Sequence, residues 1–245
     1  NTKEYSYHQM MPIMIFGTSN NYCGSLQILD KPSGSINDGS NSELYDNLCK
    51  CEWLISYPAA DSINLYVRSL ELENEHDFLK IFETGNNDST NMVELTGDLS
   101  ENETYFSFGN EVFLLFETDG KNRNDGFSID YTSSYILDIE TIPHIGGSVR
   151  SKESYKYNEI DSLIAFSYEG WEFNYWKEND KTISYQDTLP IIVQSKRALK
   201  AFFERKVYEI DLSANNSYAG KLRGSGDYPY DSVALIEAIP NQGYK

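Results

Sequence analysis

The chain's 245 residues suffice for about two or three compact domains. Its 38 Asp and Glu outweigh 20 Lys and Arg, a formal charge of −18. That balance excludes nucleic acid and anionic membrane as partners, because phosphate binding needs a concentrated cationic surface.

No run approaches the ~18–20 apolar residues of a membrane-spanning helix. The chain opens on the polar Asn1-Thr2-Lys3, so any targeting segment is expected to be removed or to lie outside this sequence. Aromatics are abundant, with 19 Tyr, 12 Phe and 3 Trp. Together with Ile, Val and Thr they favour strands. Alternation at period two places Ile63, Leu65 and Val67 on one face, then Leu79 and Ile81, then Val112, Leu114 and Phe116. Turn signals fall between: Asn37-Asp38-Gly39, Gly85-Asn86-Asn87, Asp119-Gly120, Gly146-Gly147 and Gly224-Ser225-Gly226, the last read as a hairpin tip. Short strands and polar turns predict an all-β chain. The basic cluster Lys196-Arg197, Lys200, Arg205 and Lys206 reads as a solvated strand edge.

The second half repeats itself. A shift of 208 − 135 = 73 aligns Tyr135 with Tyr208, Leu137 with Ile210, Gly147 with Gly220, Arg150 with Arg223, Tyr155 with Tyr228, Ala165 with Ala238 and Gly170 with Gly243, without a gap. A register that long marks stacked units. The second copy reaches Lys245 barely past its midpoint. The N-terminus carries a segment similar to the remainder: Lys3-Glu4-Tyr5-Ser6-Tyr7 and Pro12-Ile13-Met14 parallel Lys181-Thr182-Ile183-Ser184-Tyr185 and Pro190-Ile191-Ile192.

Cys23-Gly24-Ser25-Leu26, Cys51-Glu52-Trp53-Leu54-Ile55, Ile63 to Glu73, Asp77-Phe78-Leu79, Phe113 to Asp119 and Gly126-Phe127-Ser128-Ile129-Asp130-Tyr131 together resemble a CUB domain, over residues 20–133. The resemblance implies a jelly-roll-like β-sandwich that binds proteins or glycans outside the cell and has no catalytic activity. It also implies a Cys23–Cys51 disulfide. Cys49 and Cys51 share one strand face, which leaves pairing of Cys23 with Cys49 as the alternative. The family's second disulfide is missing, its positions falling near Asn74 and Thr96. The thiol left over is either buried or an intermolecular bridge. Many CUB domains hold Ca²⁺ through three carboxylates, and Glu73, Asp77 and Asp119 stand at those positions, with Asn124 or Asp125 as a further oxygen donor. Taken alone, these read as ordinary loop acids of an acidic protein.

Gly146-Gly147-Ser148-Val149, Tyr155-Lys156-Tyr157, Gly170-Trp171-Glu172-Phe173, Trp176 and Arg197 to Phe203 resemble an internalin-type B-repeat, a divergent bacterial β-grasp-like repeat, over residues 135–205. Residues 207–245 form a partial second one. Tyr175 stands where that family has a glycine. Helix propensity favours a helix over Ser195 to Lys206; the resemblance implies a strand. Trp171, Trp176, Tyr155 and Tyr157 read as core rather than as a sugar platform.

No His-Glu-x-x-His, nucleophile elbow or phosphate loop is present, so no enzyme is expected. Sequons at Asn87, Asn102 and Asn215 are candidate glycan acceptors. The expected function is an extracellular or cell-surface structural subunit. Residues 1–17 would donate a strand, through Met11, Ile13 and Ile15, to the incomplete C-terminal repeat of another copy, making a head-to-tail filament. The alternatives are a protein- or glycan-binding adhesin module, a piece of a longer array of such repeats, and the accessory region of a secreted hydrolase.

Overall fold

The computed structural model describes residues 23–40, 43–84, 92–99 and 104–245. All regular structure among them is strand. The first nine strands are β1 (Gln27–Leu29), β2 (Ser33–Asn37), β3 (Lys50–Ser56), β4 (Ser62–Glu71), β5 (Phe78–Glu83), β6 (Met92–Leu95), β7 (Thr104–Phe108), β8 (Glu111–Glu117) and β9 (Gly126–Tyr135). One sheet runs β1-β3-β8-β5-β6; the other carries β9-β4-β7, with β2 also on β9. β3, β5 and β8 bury alternate residues. Trp53 and Ile55, Leu79 and Ile81, and Val112, Leu114 and Phe116 share a single buried cluster with Ile36, Ile63, Leu65, Val67, Phe127 and Ile129. This is a two-layer sandwich with open edges. Trp53 and Phe116 meet Phe127 edge-on, at centroid distances of 5.8 and 5.2 Å, the arrangement favoured by ring quadrupoles.

Eight strands follow: β10 (Asp138–Ile142), β11 (Gly147–Arg150), β12 (Tyr155–Lys156), β13 (Glu159–Ser167), β14 (Trp171–Glu178), β15 (Lys181–Ser184), β16 (Thr188–Val193) and β17 (Ala198–Arg205). They form a sheet β10-β17-β14-β15 and a sheet β11-β13-β16 around a second core. Buried Trp176 and Tyr155 belong to it, with Leu163, Ala165, Leu189, Ile191, Val193, Leu199, Ala201 and Phe203. The stretch with helical propensity is β17. Leu199, Ala201 and Phe203 are buried while Lys200 and Phe202 face outward, so a period of two satisfies the core where 3.6 would not.

The two cores are joined by backbone. β12 pairs with the last residues of β9, Tyr155 opposite Tyr135 and Lys156 opposite Ser134, which extends a sandwich sheet into the repeat. Ala60, from the loop before β4, belongs to the second core. Lys196 meets Asp61 at 2.7 Å, and Asp61 also accepts the Ile136 N–H at 2.8 Å. The basic cluster is largely paired with acids here, Arg197 with Glu178 and Lys200 with Glu140 completing the set.

The remaining strands are β18 (Val207–Ile210), β19 (Gly220–Arg223), β20 (Gly226–Pro229) and β21 (Glu237–Pro240). β18 pairs with β20, and β19 with β21. Gly224-Ser225-Gly226 is therefore not the tip of a hairpin. It joins strands of two different sheets, because each strand takes the partner its counterpart has one repeat earlier.

Candidate metal site at the loop end of the sandwich

The loops leaving β4, β3's approach and β8 converge at one end of the sandwich. Glu73, Asp77 and Asp119 each bring a carboxylate oxygen there, all within 4.8 Å of one another. Asp77 is fully buried, while Glu73 and Asp119 are half-buried. A turn closes the first loop, the Asp77 N–H donating to the Glu73 carbonyl at 3.0 Å. Asp77 ties it to the third loop, its Oδ1 accepting the Asp119 N–H at 2.7 Å. Leu48, Glu75 and Asn122, one in each loop, adopt positive φ, a conformation L residues hold only where surrounding contacts impose it.

Buried Tyr45 is the pin between these loops. Its hydroxyl donates to Asp77 Oδ2 at 2.5 Å and accepts the Glu73 N–H at 3.0 Å. Burial, then the bond to Asp77, pushes the phenol well above its ordinary value. Tyr45 lies in a polar stretch outside any alternating run, so strand periodicity gives no signal for it. Glu73 Oε1 accepts from the Asn122 amide, whereas Glu73 Oε2 is buried with no hydrogen-bond partner. Three hard oxygen donors and one buried carboxylate oxygen without a partner fit a Ca²⁺ ion, whose charge would satisfy that oxygen. Asp125 is exposed and stands outside this group, and Asn124 directs its carbonyl to the Tyr45 N–H at 3.2 Å.

Beside the cluster, Cys23 and Cys51 are disulfide-bonded and Cys49 is a buried free thiol. Burial, then the charge of Asp46, pushes that thiol up from its ordinary value, which disfavours the reactive thiolate. Where the family's second disulfide is missing, hydrogen bonds stand instead. The Thr96 hydroxyl accepts the Glu75 N–H at 2.9 Å and donates to the Glu73 carbonyl at 3.2 Å. Gly126 has φ of +83°, and a side chain there would run into the Asp38 carboxylate. Asp38 is buried and accepts from the Phe127 N–H at 3.1 Å and the Ser40 hydroxyl at 2.6 Å. The Gly126-Phe127 element thus fixes the start of β9 directly behind the loop end.

Of the other candidate residues, Asn215 is exposed. Asn87, Asn102, Met11, Ile13 and Ile15 lie outside the described residues. Trp176 and Tyr155 are fully buried, so neither offers a surface to a sugar.

Comparison with known proteins agrees with this architecture. The model of the CUB domain matches residues 23–131, and that of the divergent InlB B-repeat domain matches residues 137–207. Cubilin of Homo sapiens is 31% identical over 108 residues, covering 42% of this chain and 3% of that protein. Exoskeleton protein RP43 of Riftia pachyptila is 30% identical over 115 residues, covering 45% of this chain and 27% of that protein. The chain therefore spans a small part of either relative's length. The MASP-1 CUB2 domain bound to Ca²⁺ aligns with a TM-score of 0.39 at 16% identity, over 44% of this chain and 97% of that one. Both matched families are non-catalytic binding modules. The chain carries a CUB domain, followed by a divergent InlB B-repeat domain.

Proposed function

We propose that this chain is an extracellular protein-binding module whose recognition end is the loop end of the CUB sandwich, organised by Ca²⁺. The observation that carries this reading is Glu73 Oε2, a buried carboxylate oxygen without a partner, set against Asp77 and Asp119. Glu73, Asp77 and Asp119 would hold the ion, and the bound cation would neutralise three converging acids. Tyr45 orients Asp77, and the Asn122 amide holds the other oxygen of Glu73. With the loops fixed, their outer residues present one surface to an extracellular protein or glycan. The B-repeat acts as a spacer, made stiff by the β9–β12 pairing. Exposed Asn215, with Asn87 and Asn102, would accept glycans in a secretory pathway that glycosylates asparagine.

Titration with Ca²⁺ in a calorimeter tests the site. The intact chain should bind one ion and melt at higher temperature with it, and Asp77→Asn should do neither. Identical melting with Ca²⁺ and with chelator would overturn the calcium reading. Retention on extracellular-matrix proteins that is indifferent to both Ca²⁺ and Asp77→Asn would overturn the recognition end.

A second reading makes the chain a structural subunit that assembles head to tail by strand complementation. An exoskeleton protein stands among the relatives. Electron micrographs of the intact chain test it: filaments support the reading, and monomers at high concentration sink it.

A further inference from the structure

The sheet β1-β3-β8-β5-β6 buries one face in the sandwich and turns the other outward. Trp53 and Ile55 of β3 point inward, as do Leu114 and Phe116 of β8 and Leu79 and Ile81 of β5, so the residues between them point outward. The register carries those outward residues into rows. Ile28 stands beside Leu54, Leu54 beside Phe113, Phe113 beside Phe82, and Phe82 beside Met92. One apolar row therefore crosses all five strands, with the Phe82 and Phe113 rings 6.1 Å apart. Ile28 is 65% exposed and Met92 47%, and the three between them are half-buried. The solvated face of an antiparallel sheet is ordinarily polar, and a continuous apolar row on it is the kind of surface that a partner covers.

The charges beside this row say what that partner is. In the next row toward the loop end, Glu52 on β3 and Lys80 on β5 flank Leu115 on β8. One row further, Lys50 and Phe78 flank Glu117. The pattern is thus acid on one side of β8 and base on the other. A two-fold rotation about an axis along β8 sets β3 of one copy over β5 of the other. Leu54 then meets Phe82, Phe113 and Leu115 meet their own copies, and Ile28 meets Met92. Glu52 meets Lys80 twice, once on each side of the axis, and Lys50 meets the Phe78 ring, so the face is complementary to itself. Glu111 and Glu117 meet their own copies at the two ends of β8. Glu117 is already paired with Lys80 at 3.1 Å and Lys50 at 4.0 Å, and Glu111 accepts the Ser56 and Thr84 hydroxyls at 3.0 and 2.6 Å.

We propose that this face is the contact between two copies of the chain, packed sheet on sheet about a two-fold axis along β8. The inference is independent of both readings above. Such a contact is isologous and closes at two copies. Four strand spacings by the seven residues of β3 and β8 make a face of about 19 by 23 Å, or about 900 Å² over both copies. That is the size of a weak, reversible contact rather than of an obligate dimer. Because the axis runs along β8, both copies keep Glu73, Asp77 and Asp119 at one end and their repeats at the other. A dimer presents the loop end twice, side by side, which raises its retention on any surface that repeats a ligand for that end.

Sedimentation of the full chain at rising concentration and moderate salt tests the contact, and a monomer–dimer equilibrium is the expected result. Glu52→Lys and Lys80→Glu each set two like-charged pairs across the axis and should weaken the dimer by about tenfold; the double variant should recover most of the loss. Packed sheets lie about 10 Å apart, so a bifunctional maleimide spanning about 8 Å should link Phe113→Cys chains to one another. It should leave unlinked the wild-type chain, whose Cys49 is buried, and Tyr105→Cys, at an exposed position on the other sheet. The charge variants alter surface side chains and decide the question if Phe113→Cys fails to fold. A chain that stays monomeric at about 1 mM overturns the proposal. A dimer that ignores the charge variants, or that folds with Phe113→Cys and does not link there, overturns this face as the contact.

Discussion

Single side chains in this protein hold loops and domain ends rather than bonds under attack. Tyr135 is one, fully buried where the sandwich meets the repeat, and burial pushes its phenol up from 10.0 to about 12. Between those two values the unfolded chain loses a proton that the folded chain keeps, so stability falls as pH rises through that window. Urea midpoints measured at pH 9 and pH 11 should drop, and Tyr135→Phe should flatten the drop; an unchanged slope in the variant would assign the alkaline limb to another group. Arg197 is a second case, gripping Glu178 with two parallel bonds of 2.7 and 2.9 Å. Those bonds hold the Glu178 carboxyl below its ordinary value. Lysine keeps the charge but cannot reproduce the fork, so Arg197→Lys should cost about 1–2 kcal/mol in urea unfolding. The Glu73, Asp77 and Asp119 set was legible in the sequence by resemblance. The hydroxyl of Tyr45 that holds it was not, because an aromatic in a polar loop carries no periodic signal.

At the scale of elements, two irregularities carry the repeat. Gly146 and Gly147 let the start of β11 lie against Phe203 and the Phe166 carbonyl; a methyl group at Gly147 has no room. Gly147→Ala should therefore destabilise by about 1–3 kcal/mol, and a denaturation midpoint equal to wild type would show that the strand shifts freely. The second is a bulge in β14 between Phe173 and Tyr175, which lets Trp176 point inward while Tyr175 turns out onto Phe202, 4.7 Å between ring centres. The tyrosine in place of the family's glycine is thus accommodated on the outer face and does not disturb the core. Neither bulge nor stacking follows from alternation, since both depend on which strand lies alongside. The strand character of Ala198–Arg205 does follow from it, once the buried triplet Leu199, Ala201 and Phe203 is weighed above helix propensity.

For the whole molecule, the consequence is a gradient of local stability. The two cores share a continuous sheet through β9 and β12, and the second copy of the repeat contributes no residue to either. Amides in β4, β9 and β17 should exchange with deuterium far more slowly than those in β18 to β21 when the chain is dilute. The net charge of −18 keeps copies apart at low ionic strength, so added salt should favour any self-association.

The sequence by itself determined the all-β character, the two matched domains and the 73-residue register, because side-chain alternation and internal repetition are properties of one strand at a time. Partners are not. Only the tertiary structure decided that Cys23 bonds Cys51 and leaves Cys49 buried, and that Gly224 to Gly226 joins two sheets instead of capping a hairpin. It also decided that the sandwich and the repeat share backbone hydrogen bonds. Each of these turns on which segment, distant in the chain, comes to lie beside another, and burial and hydrogen bonding between distant segments are settled only when the layers pack.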